Sequence, residues 1–304
     1  MAKYLDPKSD LTFKKVFGEN KDLMISFLNA LLPLQPGREV VEIEYLSSEL
    51  VPDHPEKKDS IVDVRCKDTL GRQFLVEMQM YWTDAFKQRA LFNTCKAYVE
   101  PVEKGEKFED IKPIYTISLV NDIAFPELPE EFYHVYVPMN ETHDDHVIDD
   151  MKMIFIELPK FKPSSVKDKK MMVLWLRFLT EINEKTRQAP EELINDALVT
   201  KALSLLEDSA YTPEQKRAID RYWDMVSRER TMVFSSRQEG IAEGRAEGLA
   251  EGRAEGRAEG LAEGLTQGRT EGVISVALNL KNMGLPVEQI VKATDLTAEE
   301  IEKL

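Results

Sequence analysis

The chain has 304 residues and a formal net charge of −15, with 42% hydrophobic and 31% charged residues. This composition is typical of a globular protein and excludes a fibrous or disordered one. The length suffices for two domains with large cores. The charged N-terminus lacks an apolar signal segment, and no stretch reaches the ~18 apolar residues of a membrane span, so we expect a cytoplasmic protein with no membrane partner.

Cysteine and histidine usage narrows the chemistry further. Two cysteines are too few for a disulfide framework, and four histidines without a Cys-x-x-Cys pair give no zinc pattern. The net acidity also bears on nucleic acid as a partner, because lysine and arginine contacts to phosphate supply most nonspecific affinity. A DNA site on this chain must therefore be a local basic patch.

Residues 1–165 alternate between helical and strand patterns. Helical periodicity is present at 11–17, 23–32 and 83–98, and strand patterns at 40–46, 60–67, 72–80, 114–120, 133–137 and 153–158. This order predicts an α/β core with a central mixed sheet flanked by helices.

The remainder of the chain reads as helical. The amphipathic patterns at 171–183, 191–206 and 213–234 predict a helical subdomain over residues 166–235. A tetrapeptide repeat, mostly Ala-Glu-Gly-Arg or Ala-Glu-Gly-Leu, fills residues 236–272, and a short helical tail occupies 273–304. In the tail, Thr297 and Glu300 fit a capping box.

The repeat carries glycine at every fourth position from Gly240 to Gly272, nine of the fourteen glycines in the chain. A period of four is close to one helical turn, so the glycines predict a stripe along a long helix through which two copies associate. Each glycine costs about 1 kcal/mol relative to alanine in a helix, which keeps a flexible, partly helical linker open as the alternative.

The most informative segment is a predicted β-hairpin whose three-residue loop ends at Gly71, a residue that tolerates the left-handed conformation needed there. Pairing outward from this loop places Asp63 opposite Glu77 and Ile61 opposite Gln79. The two carboxylates then share one face of the hairpin with Cβ atoms roughly 5 Å apart. The other face is apolar and is formed by Val62, Val64, Cys66, Phe74, Val76, Met78 and Met80.

Two acids directly opposite each other destabilise a hairpin, and burying them without a cation is costly. A strand pattern followed at once by a helix predicts that both faces of the sheet are covered. A divalent cation would then be held by Asp63, Glu77 and a backbone carbonyl, with waters completing the coordination. The alternative is that both acids lie on a solvated sheet face.

Four parts of the sequence together resemble the PD-(D/E)XK nuclease family transposases, also called recombination-promoting nucleases. These parts are residues 10–32, Asp63, the element Glu77-Met78-Gln79 and the region around Arg89. The resemblance covers about residues 1–235, and the repeat-rich tail is also similar to tails in that group. Glu-x-Gln alone is weak evidence, whereas its position across a short hairpin from Asp63 is more specific.

The resemblance implies a restriction-endonuclease-like core and a metal-dependent endonuclease that cleaves DNA in recombination or mobile-element biology. It implies that Asp63, Glu77 and the backbone of Met78 bind Mg²⁺ or Mn²⁺. Gln79 would replace the lysine of the general motif and would orient a water molecule by hydrogen bonds, so activity should be modest or tuned by a partner. Asp10 matches an acidic catalytic position in the first helix, although it fits the helix N-cap at least as well, with Ser9 as the other candidate cap.

Other interpretations stay open. Arg89 and Lys96, on the helix after Gln79, are candidates for contact with phosphates, although exposed helix cations are usually only solvated. The same residues are also compatible with a catalytically weak nuclease fold that serves as a protein-interaction module, or with an RNase on the same fold.

Overall fold

The computed structural model describes residues 4–50, 60–101, 107–163 and 170–304. The chain divides into two compact units, Met1–Arg230 and Thr231–Leu304. None of the described helices combines the length and the apolar character needed to cross a membrane.

The first unit contains a six-stranded mixed sheet. The described strands are β1 (Ile43–Tyr45), β2 (Glu49–Leu50), β3 (Ser60–Ile61), β4 (Val64–Asp68), β5 (Gln73–Gln79), β6 (Ile114–Val120), β7 (Tyr133–Tyr136) and β8 (Met151–Glu157). The sheet has the order β1-β4-β5-β6-β8-β7, and β2 pairs separately with β3. The β5–β6 and β6–β8 pairs are parallel, whereas β1–β4, β4–β5 and β7–β8 are antiparallel. The mixed α/β class predicted from the sequence is confirmed.

Helices cover both faces of this sheet. They are α1 (Asp10–Phe13), which continues into a π-helical turn (Lys14–Gly18), α2 (Lys21–Leu31), α3 (Asp84–Val99), α4 (Lys170–Glu181), α5 (Glu191–Ile194), α6 (Ala197–Leu205) and the start of α7 (Pro213–Asn282). Period-two alternation assigns strand residues to the two layers. Phe74, Val76 and Met78 of β5 lie in the core that α2 and α4 share, whereas Leu75 packs with Ala97 of α3. A polar side chain on the α3 face is therefore under a helix and not in solvent.

The register of the predicted hairpin is right from Val64 onward. Val64 pairs with Val76, and the loop closes where the N–H of Asp68 donates to the carbonyl of Arg72 at 3.0 Å. Gly71 has a φ of 80°, the left-handed conformation expected for this loop. The loop thus sets which residues of β4 and β5 face each other.

The strand predicted for 60–67 is interrupted by a bend at Asp63. Ile61, before the bend, pairs with Glu49 of β2, so the predicted pair of Ile61 with Gln79 is wrong. The hairpin pattern alone gave no sign that a separate short strand would compete for this segment.

The bend also reverses the side chain of Val62, which was expected on the same face as Val64. Val62 packs instead with Leu75 and Ala97 on the α3 side. Its N–H donates to the carbonyl of Ser48 at 3.0 Å, which holds this residue to the β2 segment. Strict alternation fails here because the chain leaves the six-stranded sheet at Asp63.

The second unit contains the rest of α7 together with α8 (Val287–Thr294) and α9 (Ala298–Lys303). The glycine repeat lies inside α7, and the boundaries predicted at 235/236 and 272/273 both fall within this helix. The boundary predicted at 165/166 lies outside the described residues.

The end of the chain forms a small helical core of its own. Ala277, Ile290 and Ile301 are fully buried against one another. The predicted capping box is present at the start of α9, where Thr297 and Glu300 bond reciprocally. Burial of these apolar side chains stabilises the folded form of the short helical tail.

Candidate active site

Asp63 lies at the bend, beside the end of β5. Its Oδ2 accepts a hydrogen bond from the backbone N–H of Met78 at 2.6 Å. Extending the register of Val64 and Val76 by one residue places Asp63 beside Glu77. The carboxylate thus takes the place of a backbone acceptor where the β4–β5 ladder ends, and this hydrogen bond holds it against β5.

Glu77 lies on the α3 face of β5, where it is only 5% exposed. Its Oε1 accepts a hydrogen bond from Nδ2 of Asn93 on α3 at 2.9 Å. The residue beside it on β6 is Ser118, and among the described residues no hydrogen-bond partner reaches the buried Oγ of Ser118. Glu77 thus points into a covered layer that also contains an unpaired hydroxyl group.

Burial raises the pKa of Asp63 to about 6, because the charged carboxylate is removed from water. The hydrogen bond from the N–H of Met78 lowers this pKa, the nearby charge of Asp10 raises it, and the charges of Lys14 and Arg89 lower it. The carboxyl group is therefore within electrostatic range of both the first helical segment and α3.

Burial also raises the pKa of Glu77 to about 6. The hydrogen bond from Asn93 and the charge of Arg89 lower this pKa, and the charge of Asp63 raises it. The two acids repel each other in a layer where their local partners only partly compensate for lost hydration. Such a pair favours a bound cation.

Asp10 was interpreted as a helix cap or as an additional catalytic acid. The cap is Ser9, whose Oγ accepts from the N–H of Thr12 at 3.3 Å, so the assignment of the N-cap to Asp10 is wrong. Asp10 is the first residue of α1 and forms an ion pair with Lys14 at 2.8 Å. Both residues act electrostatically on Asp63, so this helical segment borders the candidate site.

Gln79 has both ends of its amide group engaged. Oε1 accepts a hydrogen bond from Nη2 of Arg89 at 2.8 Å, and Nε2 donates to the carbonyl of Tyr81 at 2.9 Å. The same Nη2 lies 4.0 Å from Oε2 of Glu77. Gln79 thus bonds to the arginine beside Glu77, and its role in orienting a water molecule stays a prediction.

The structure separates the two cations that were expected to meet phosphates. Arg89 lies beside Glu77 and Gln79, whereas Nζ of Lys96 donates a hydrogen bond to the carbonyl of Leu50. Lys96 is thus directed toward the β2 segment. Of this pair, Arg89 is the residue placed at the candidate site.

Three further residues at the site have no motif of their own. These residues are Lys14, Asn93 and Tyr222. Lys14 lines a cleft of about 240 Å³ together with Asp63, and Asn93 donates a hydrogen bond to Glu77. Tyr222, on α7, is within electrostatic range of Asp63. The pKa of Tyr222 is raised by burial and by the charges of Asp63 and Asp10. The spacing of four residues between Asp10 and Lys14 was a usable signal for Lys14. Asn93 and Tyr222 carry no comparable signal.

The donor chemistry of the site fits a hard divalent cation. Within the described ranges, no group of three or more histidine, cysteine, aspartate or glutamate side chains is arranged to hold a metal. Mg²⁺, however, commonly uses one or two carboxylates and keeps several waters. Asp63, Glu77 and the backbone carbonyl of Met78 would be such a set, and the unpaired Oγ of Ser118 marks a polar position beside it.

A helix-flanked mixed sheet in which a partly buried Asp63 and a buried Glu77 face each other across a short hairpin is consistent with the PD-(D/E)XK class of nuclease folds. The family model described as PD-(D/E)XK nuclease family transposase matches residues 7–230, and the chain belongs to this family. No curated protein and no solved structure matches it. Membership indicates a nuclease or transposase-related function, and nucleases of this class usually use divalent metals.

Proposed function

We propose that this protein is a metal-dependent endonuclease that hydrolyses DNA phosphodiester bonds in recombination or mobile-element biology. The observation that carries the proposal is the pair of adjacent acids, the partly buried Asp63 and the buried Glu77, within the family match. Loss of hydration raises the pKa of both carboxyl groups to about 6. Their ionised forms are therefore unfavourable in this position unless a cation is bound.

In the proposed site, Asp63, Glu77 and the backbone carbonyl of Met78 bind Mg²⁺ or Mn²⁺. When bound, the cation supplies Lewis-acid activation of water and offsets charge on the phosphoryl oxygens. The N–H of Met78 orients Asp63, and Asn93 orients Glu77, so both ligands are held before the cation arrives. Asp10 acts on the same site through its charge.

DNA as the substrate requires a local basic surface on a chain of net charge −15. Arg89 and Lys14 supply positive charge on two sides of the acids, from α3 and from the π-helical turn. Their position supports approach of a phosphodiester to Asp63 and Glu77.

The test is cleavage of supercoiled plasmid and of structured RNA by purified protein with Mg²⁺, Mn²⁺ or EDTA. Asp63→Asn and Glu77→Gln keep the side-chain shape and remove the charge, and each should lower cleavage by about 1,000-fold, since metal charge stabilisation is worth several kcal/mol. Glu181→Gln, which removes a carboxylate paired with Arg177 on α4, is the control and should leave activity unchanged.

Each alternative has a distinct outcome in this assay. Full activity in either site variant removes the proposed metal site. Cleavage of RNA but not of DNA establishes the RNase. Folded protein that cleaves neither substrate with either metal supports the interaction module.

We also propose that residues 1–165 and 166–235 act as one catalytic unit and that the repeat helix joins two copies of it. Within the part of the chain that the structure describes, no atom outside the local helix lies within 4 Å of the Cβ position of any repeat glycine, from Gly240 to Gly272. Small residues at helical spacing let two helix backbones approach closely, a logic best established for membrane helices. Two active sites related by symmetry would suit cleavage of both strands of a duplex.

Glycine-to-alanine substitutions test the oligomer proposal, because they should stabilise the helix of a monomer but weaken a dimer. Gly252→Ala, Gly256→Ala and Gly260→Ala together should stabilise the helix of a monomer, by about 1 kcal/mol per site. In a dimer packed through glycine, the same methyl groups would separate the helices. Light scattering of wild type should show a dimer that becomes monomeric in this triple variant and after truncation at Ser235. A wild-type protein that is monomeric at micromolar concentration contradicts the proposal and leaves the Asp63 site unaffected.

A further inference from the structure

The third position of the metal-binding element is occupied by Gln79, which carries no charge. In a Glu-x-Lys nuclease this position brings a cation next to the reacting phosphate. A glutamine can still donate and accept hydrogen bonds. In this protein, however, its Oε1 is engaged by Arg89 and its Nε2 by the carbonyl of Tyr81. The amide group is therefore committed to protein contacts at both ends.

We propose that Arg89 supplies the positive charge that lysine provides in a Glu-x-Lys motif, and that Gln79 is the positioning residue that holds Arg89 in place. This inference rests on the nuclease function proposed above. It reassigns the role of Gln79, from orienting a water molecule to fixing a guanidinium group.

The contacts of Arg89 fix its guanidinium at the edge of the acid pair. Nη2 donates to Gln79 at 2.8 Å and lies 4.0 Å from Oε2 of Glu77, which is too far for a hydrogen bond. Cζ lies 4.9 Å from the centroid of the Phe86 ring on the same helix. An amide acceptor and an aromatic ring thus hold the group without neutralising it.

Arg89 also has the access that its role requires. Its side chain is 49% exposed, whereas that of Glu77 is 6% exposed, so the guanidinium lies on the solvent side of the buried acid. A guanidinium has five N–H donors in a planar array that matches two oxygens of a phosphate. An incoming phosphodiester would therefore meet Arg89 on its way to Glu77.

Lys14 is the competing cation, because its charge also lowers the pKa of Asp63. It is engaged in a close ion pair with Asp10 at 2.8 Å, whereas Arg89 donates its hydrogen bond to a neutral amide and lies 4.0 Å from Oε2 of Glu77. The charge of Arg89 acts on both Asp63 and Glu77. Arg89 is thus the better placed of the two to stabilise negative charge that develops on phosphoryl oxygens. Since arginine stays protonated, this role is electrostatic and involves no proton transfer.

The decisive experiment is a double-mutant cycle on full-length protein with plasmid DNA and Mg²⁺. Arg89→Ala should lower kcat by about 100-fold, with a smaller change in KM, as for loss of a group that stabilises the transition state. Gln79→Ala should lower kcat by about 10-fold, as expected for a residue that orients another residue. The variant with both alanines should be no less active than Arg89→Ala alone, because Gln79 acts through Arg89.

A charge-relocation variant gives the second readout. Adding Gln79→Lys to Arg89→Ala returns a cation to the site and should restore kcat by at least about 10-fold, to about a tenth of the wild-type value. Lys87→Ala is the matched control, since it removes a charge from the same helix next to Tyr136 and should leave kcat within about twofold.

A third readout needs no cleavage. In EDTA, Arg89→Ala should reduce the slope of log affinity for duplex DNA against log salt by about 1, as for one lost phosphate contact.

Three results overturn the inference. These are Arg89→Ala with wild-type kcat and salt slope, additive losses in the alanine cycle, and an absence of any recovery in folded Gln79→Lys/Arg89→Ala. If wild type is active and any of these is found, the inference fails and the nuclease function stands. If wild type cleaves nothing, the proposed function fails and the inference fails with it.

Discussion

Two buried glutamates at the same edge of the sheet have opposite surroundings. Glu157 ends β8 and is fully buried, and both of its oxygens are bonded: Oε1 to His134 and Lys160, and Oε2 to the N–H groups of Ala124 and Phe125. Glu77, near the end of β5, receives one hydrogen bond from the described residues, that of Asn93.

The comparison separates a structural acid from a candidate functional one. Protein groups engage both carboxylate oxygens of Glu157, so its hydrogen-bonding capacity is used without a cation. Glu77 shares its layer with a second acid, and burial raises its pKa to about 6. Burial of an acid is therefore by itself a poor indicator of function. An acid whose lost hydration is only partly replaced by protein donors is a better candidate for a functional residue.

Glu157→Gln should have the largest effect on stability. It leaves Lys160 buried opposite a neutral amide, and breaking a buried pair costs about 3–5 kcal/mol of unfolding free energy. Urea unfolding in EDTA would measure it, with Glu77→Gln as the matched control that should be neutral or stabilising. Equal destabilisation by the two variants would contradict the distinction between the two sites.

Mg²⁺ should stabilise the wild-type protein against thermal unfolding, because the proposed site exists only when Asp63 and Glu77 are brought together by folding. At a concentration 100 times the Kd, the gain is about 2.7 kcal/mol. The gain should disappear in Asp63→Asn and persist in Glu157→Gln. A thermal shift with Mg²⁺ that survives Asp63→Asn would place the ion elsewhere.

The smallest expected effect is a pH dependence of the metal-free protein. Burial raises the pKa values of Asp63 and Glu77 from 3.8 and 4.5 to about 6, so folding favours their protonated forms. This stabilisation is fully present below about pH 4 and is lost as the pH rises through about 6. Asp63→Asn, which cannot ionise, should therefore unfold with about 1–2 kcal/mol more free energy than wild type at pH 7.5 and with little difference at pH 4.

Thermal unfolding in EDTA at these two pH values measures the effect. The contrary result is that wild type loses no stability relative to Asp63→Asn between pH 4 and 7.5. Protein groups would then replace the lost hydration of Asp63 and Glu77, as they do for Glu157.

Local patterns predicted most of the sheet. The apolar run 114–120 became β6 with the same bounds, and Gly71 set the register that pairs Val64 with Val76. The local pattern was wrong at Ile61. This residue pairs with Glu49 of β2 and does not extend the hairpin, and the hairpin pattern carries no information on that competing strand. At the first helix the sequence left both Ser9 and Asp10 as candidate caps, and the backbone conformation decides for Ser9.

The sequence by itself determined the family, the mixed α/β class and the pair Asp63 and Glu77, since these follow from motif order, residue periodicity and the turn chemistry of one loop. Tertiary structure alone decided that α3 covers Glu77, that Arg89 bonds to Gln79 and that Lys14 lies beside Asp63. The physical reason is that these contacts join separate elements. Their distances depend on how helices pack onto the sheet, which periodicity along one element does not encode.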